Sequence, residues 1–156
     1  MLSDSNGSAM AMVDTNVLVH AYDITEPQKH AVATNLAEQL AQESRLAISV
    51  QSLNEFYSVV TSPRKAIQMP HERAESIITT LCEVATVISL TPEIVTRALQ
   101  GVQQFKLAFW DALIWAAAKE NRIPVVYSED FNSGATLDGV TFVNPFEDTS
   151  VGASQL

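Results

Sequence analysis

The chain has a single cysteine, Cys82, in 156 residues, so no internal disulfide can brace it, and it fits a reducing, cytoplasmic setting. With Leu81 and Val84 beside it, that thiol is expected to be buried rather than reactive. Five glycines leave few places for a phosphate-cradling loop. Neither G-x-x-x-x-G-K-S/T nor G-x-G-x-x-G occurs, and there is no G-x-S-x-G elbow. The three histidines, His20, His30 and His71, lack ligand spacing, which sets zinc aside. No apolar run approaches the roughly 20 residues of a membrane span. Residues Met1 to Ser8 lack the basic start and apolar core of a signal peptide. Basic side chains are also scarce: Lys and Arg number 9 against 18 Asp and Glu, a net charge of −9. Proteins that capture nucleic acid through bulk electrostatics are basic, so a passive nucleic-acid-binding module is disfavoured. A phosphodiester substrate would need metal ions, a local basic patch or a basic partner.

The apolar share of 47% and charged share of 17% are those of a soluble globular protein. One domain is expected over residues 10–147, with a flexible lead over 1–9 and a frayed tail over 148–156. Within it, short apolar runs alternate with longer helical patterns. Strands are expected at Ala11–Val13, Leu46–Ser49, Thr86–Ser89, Val125–Tyr127 and Val140–Val143, each nearly continuous in apolar residues. Helices are expected at Asn16–Ala21, Gln28–Gln42, Ser52–Thr61, Pro70–Cys82, Pro92–Gln104 and Trp110–Glu120. Thr91-Pro92-Glu93 reads as a cap followed by proline and an acid. Strands alternating with helices predict an α/β fold with a mostly parallel sheet covered on both faces.

In such a sheet the working crevice lies at the carboxyl ends of the strands. Asp14 and Asp130 each follow a strand, Glu55 lies in the helix after the second strand, and Asp111 opens the Ala-rich helix. The four are expected to meet at one point, and like charges gathered there call for a cation. Oxygen donors suit magnesium or manganese. Two such ions can clamp an in-line phosphoryl displacement, and one can polarise the phosphate and lower the pKa of a water. Each acid also has an ordinary explanation: Asp14 as a helix N-cap, Glu55 as a solvated helix residue, Asp111 as a first-turn acid, Asp130 as a loop acid beside Glu129. Residue types alone leave a glycosidase pair open, though four such acids fit it less well. A receiver-type phosphoacceptor domain is set aside, because no Lys follows Val143.

At these residues the chain resembles the PIN-domain ribonucleases, and among them the VapC-type toxins of toxin–antitoxin pairs. "MVDTNVLVHAYD" resembles the first family motif, with Asp14 leading and Asn16 supporting. "ISVQSLNEFYSVVT" resembles the second and carries Glu55. "FWDALIWAAAKENRIPVVYSEDFNSG" resembles the third and fourth together, giving Asp111, Ser128 and Asp130, and "GVTFVNPF" resembles the closing strand. The resemblance implies a three-layer α/β/α fold and an Mg2+- or Mn2+-dependent endoribonuclease cleaving RNA phosphodiesters with metal-activated water, leaving a 5′-phosphate and a 3′-hydroxyl. Asp14, Glu55, Asp111 and Asp130 would be catalytic and hold the metal, with Asn16 and Ser128 orienting them. It further implies a homodimer and an antitoxin protein that reaches into the acidic crevice. A catalytically silent PIN-fold interaction module is the alternative.

Two features depart from the pattern. The loop Phe131-Asn132-Ser133-Gly134 lacks the further acid some members carry, which points to lower metal occupancy or a single ion without RNA. The acidic balance is also unusual for an enzyme acting on RNA. Arg64 and Lys65, with Arg73 and Lys106, are the candidates for phosphate contacts.

Overall fold

A computed structural model describes residues 9–131 and 133–147. The expected lead over 1–9, apart from Ala9, and the expected tail over 148–156 lie outside the described residues.

The chain runs β1 (Ala11–Val13), α1 (Thr15–His20), α2 (Pro27–Gln42), β2 (Leu46–Ser49), α3 (Val50–Val60), α4 (His71–Val84), β3 (Thr86–Ile88), α5 (Pro92–Phe105), α6 (Phe109–Glu120), β4 (Val125–Tyr127), β5 (Thr136–Leu137) and β6 (Val140–Val143). All six expected helices form, with no end shifted by more than two residues. Thr91 caps α5 as its sequence implies, its side chain accepting from the Ile94 N–H.

The sheet order is β3-β2-β1-β4-β6-β5. Every pairing is parallel except β5 with β6. Strand β5 is the element the apolar pattern does not reveal. It is two residues long and turns into β6 through Asp138 and Gly139, with φ of 49° and 88°. A hairpin this tight needs left-handed residues, which Asp-Gly supplies.

Alternation along the strands sends side chains to two cores. Met12, Ala47, Val126 and Phe142 pack under α5 and α6. Ala11, Val13, Leu46 and Ile48 face the other way, under α1 to α4. This is the three-layer α/β/α arrangement expected, with helices on both faces of a mostly parallel sheet. Helix α6 is more than amphipathic: every residue from Ala112 to Ala118 is buried. One local expectation fails. Cys82 is exposed, because on α4 only Leu81 of the pair turns inward, and Val84 is 46% exposed. On α2 the buried alanine is Ala33, while Ala31 faces solvent. Among the described residues, no helix is long and apolar enough to cross a membrane.

The strand order fixes where the chain can bind something. From β1 the chain moves outward to β2 and β3, then returns to place β4 and β6 on the other side. The connections following β1 and β4 therefore diverge, leaving a crevice at the carboxyl ends of these neighbours. Asp14 directly follows β1 and Ser128 directly follows β4.

Candidate active site

Asp14 N–H donates to the Tyr127 carbonyl at 3.0 Å, and Ser128 N–H donates to the Val143 carbonyl at 3.0 Å, so the ladder extends one residue past each strand. This brings Asp14 and Ser128 side by side. Ser128 Oγ donates to Asp14 Oδ2 at 2.9 Å, and Thr15 N–H donates to Asp14 Oδ1 at 2.8 Å. Asp14 is thus the N-cap of α1, as its ordinary explanation has it, but it is also 7% exposed. A solvated cap would not be sealed in this way.

Asn16, the second residue of α1, bridges to the loop after β4. Its Nδ2 donates to Asp130 Oδ2 at 2.9 Å and to Ser128 Oγ at 3.3 Å, and its Oδ1 accepts from the Glu129 N–H at 3.2 Å. Both residues expected to orient the acids are therefore bonded to them. Helix α3 begins directly after β2, where Ser49 caps it by accepting from the Ser52 N–H at 3.1 Å. That start carries Glu55 to the cleft. Thr15 Oγ1 donates to Glu55 Oε2 at 2.9 Å and Gln51 Nε2 donates to Glu55 Oε1 at 2.9 Å. Asp111 lies in the first turn of α6, half-buried.

Asp14, Glu55, Asp111 and Asp130 line one cleft of about 310 Å³, together with Thr15, Asn16, His20, Gln51 and Trp110. Among the described residues, no Lys or Arg side chain lines it. Burial, reinforced by Glu55 and Asp130, pushes the Asp14 carboxyl up to about 6, against the bonds from Thr15 and Ser128 that lower it. Burial also raises the Asp111 carboxyl, with Asp130 and Glu55 adding to the effect. Both anions therefore sit in a field that disfavours them.

The expectation of a single meeting point needs correction. Among the described residues, no three His, Cys, Asp or Glu side chains form a set able to hold one ion. The reason is mutual repulsion combined with separate anchoring: Asp14 is tied to Ser128, Glu55 to Thr15 and Gln51, and Asp130 to Asn16. The donor set is nevertheless chemically suited to a hard divalent cation. Four carboxylates, two of them held above their ordinary range, face a cleft that no Lys or Arg lines among the described residues.

The expected RNA-contact residues lie elsewhere. Arg64 and Lys65 are exposed on the loop after α3, beyond the helix end remote from its strand. Neither they nor Arg73 and Lys106 line the cleft. Sequence reasoning missed Thr15, His20, Gln51 and Trp110. For Gln51 a signal existed, since it precedes Glu55 by four residues and so shares its helix face.

The PIN-domain family model matches residues 11–133, which is most of the chain. The chain belongs to the PIN-domain family. No curated protein matches it in sequence. Among solved structures, this PIN domain resembles the toxin VapC20 of Mycobacterium tuberculosis at 16% identity and a TM-score of 0.62, covering 82% of this chain and 97% of that one. A toxin–antitoxin complex from Klebsiella pneumoniae aligns at 23% identity and 0.62, covering 86% and 97%. VapBC2 from Rickettsia felis aligns at 20% and 0.60, covering 86% and 98%. At these identities the likeness speaks to the fold.

Proposed function

We propose that this PIN domain is an Mg2+- or Mn2+-dependent endoribonuclease and the toxin of a toxin–antitoxin pair. The observation that carries the reading is the lining of one cleft by Asp14, Glu55, Asp111 and Asp130 with no Lys or Arg among them. Its likeness in fold to a toxin described as cleaving the sarcin–ricin loop, and to toxin–antitoxin complexes, supports it. An antitoxin chain and a second copy of this chain are the protein partners that reading carries.

The four carboxylates would hold the metal, drawn closer together around it than they stand in the cleft here. When bound, such an ion supplies Lewis-acid polarisation of the phosphodiester and lowers the pKa of a water. The chain's own residues do the rest. Ser128 Oγ–H and Thr15 N–H occupy one lone pair on each Asp14 oxygen, fixing its plane. Thr15 and Gln51 fix Glu55, and Asn16 fixes Asp130. Asp111, whose side chain makes no hydrogen bond among the described residues, keeps an oxygen uncommitted to any protein donor and is the group we assign to receive the proton lost by the attacking water.

The test is cleavage of a labelled RNA by wild type and Asp14→Asn in Mg2+ and Mn2+. Asp14→Asn should remain folded and cut at a rate reduced by at least about 100-fold, and cutting at the wild-type rate overturns the proposal. Calorimetric titration with Mn2+ separates the catalytically silent module, which needs no metal site, from the enzyme.

A further inference from the structure

Of the cleft side chains that have no part in holding the acids, one is a large aromatic turned to solvent. Trp110 lines the cleft, yet 65% of the residue is exposed. Phe109 meets the indole edge-on, with centroids 5.2 Å apart and planes at 71°, a contact that braces the ring. The backbone beneath it is tied to the acids: Gln51 Nε2 donates to the Trp110 carbonyl at 3.2 Å and to Glu55 Oε1 at 2.9 Å. Trp110 also immediately precedes Asp111 at the start of α6. The outcome is a braced, solvent-facing aromatic surface beside four carboxylates.

We propose that Trp110 is the platform on which an unpaired nucleobase stacks while the adjoining phosphate faces the carboxylates. The inference rests on the ribonuclease reading above and adds to it a base-stacking contact, which needs a base whose face is unstacked. The argument for a base over another occupant comes from what the cleft lacks. With no Lys or Arg lining it, side chains cannot supply affinity by neutralising phosphate. The π-face of a base is what remains for a side chain to grip, and a tryptophan grips every base without regard to sequence.

Steady-state cleavage of an oligoribonucleotide that the wild type cuts provides the test, with substrates in which the nucleotide on either side of the cut is abasic. Trp110→Ala should raise KM by about 10- to 100-fold with a smaller change in kcat, the range found when one stacked base is lost. Trp110→Phe should recover most of it. Removing the stacked base should cost the wild type as much as Trp110→Ala does, and the two losses should not compound. A wild-type KM for Trp110→Ala overturns the proposal, as do losses that multiply. An effect of Trp110→Ala on capture of a protein partner alone overturns it as well.

A second measurement separates failure of stacking from failure of the ribonuclease reading. Trp115, the other tryptophan, is 1% exposed, so quenching of emission on mixing with the oligomer, read before turnover, reports Trp110. If no RNA is cut yet the intact oligomer quenches and the abasic one does not, stacking stands and the enzyme reading falls. If neither quenches, stacking falls whatever the cleavage assay shows.

Discussion

Asn16 and Asp130 are 114 residues apart in the chain and 2.9 Å apart in the fold, Nδ2 donating to Oδ2. The same amide accepts from the Glu129 N–H through its oxygen, so one side chain holds both a carboxylate and the backbone that carries it. Asn16→Ala should free Asp130 and the β4 loop together. A loss of 10- to 100-fold in metal affinity or activity is expected, typical for partners that orient ligands. Stability should fall by only about 1 kcal/mol, since these bonds are partly exposed. Manganese titration alongside thermal melting distinguishes the two effects. Asn16→Asp should do worse than alanine, because it sets a second negative charge against Asp130.

Much of this arrangement can be read from the sequence, and the failures have physical causes. Asp14, Glu55, Asp111 and Asp130 share a cleft because strand ends and first helical turns converge in a parallel sheet, which periodicity alone predicts. Three long-range bonds, Asn16 to Asp130, Asn16 to Ser128 and Ser128 to Asp14, join partners that only the family resemblance brought together. Thr15 and Gln51 were passed over because a hydroxyl and an amide carry no charge signature. Cys82 was misplaced because a neighbour in sequence is about 100° away on a helix, and a buried Leu81 says little about the next residue. Strand β5 was missed because two residues carry no period, although Asp138-Gly139 marks its turn.

Asp14 makes the fold pH-dependent, and the sign follows from its raised pKa. The folded state holds this proton up to about pH 6, whereas the unfolded chain releases it near 3.8. Between those values the folded state binds more protons, so its contribution to stability falls as pH rises through the window and is level outside it. At about 1.4 kcal/mol per unit the loss is about 3 kcal/mol. Melting temperatures taken from pH 3.5 to 7.5 without divalent ions should decline across that range. Added Mn2+ should reverse much of the decline above pH 6, and binding there should release little proton compared with pH 5. Ser128→Ala removes a bond that stabilises the folded anion, so it should move the upper edge of the window upward and leave the lower edge in place.

Gly101 on α5 lies against Trp115 of α6. A Cβ there would come within 2.7 Å of the indole Cζ3, closer than side-chain carbons approach. Trp115 has little room to yield, being 1% exposed and anchored by Nε1 donating to the Leu137 carbonyl at 2.9 Å. Gly101→Ala would gain about 1 kcal/mol of helix propensity and lose about 1–3 kcal/mol to overpacking. The clash should win by about 1 kcal/mol, lowering the melting temperature by a few degrees. Because the strain falls between α5 and α6, Asp111 should shift with the helix that carries it, and RNA cleavage should drop further than stability does.

Asp14→Asn should separate what the fold needs from what the chemistry needs. Above pH 6 the buried anion costs the metal-free protein about 3 kcal/mol, and a neutral amide of the same shape removes that cost. The amide oxygen can still accept from the Thr15 N–H, and the Ser128 hydroxyl can turn to accept from the new NH2 in place of donating. The variant should therefore melt higher than wild type at pH 7.5 without divalent ions, and its decline between pH 4 and 7 should shrink to the part that the raised Asp111 carboxyl contributes. Cleavage should be lost with it, together with the stabilisation that Mn2+ gives the wild type. A variant that melts lower at pH 7.5, or that keeps the wild-type decline with pH, would mean that the Asp14 carboxylate is not held under strain, and the case for a cation in this cleft would lose its electrostatic basis.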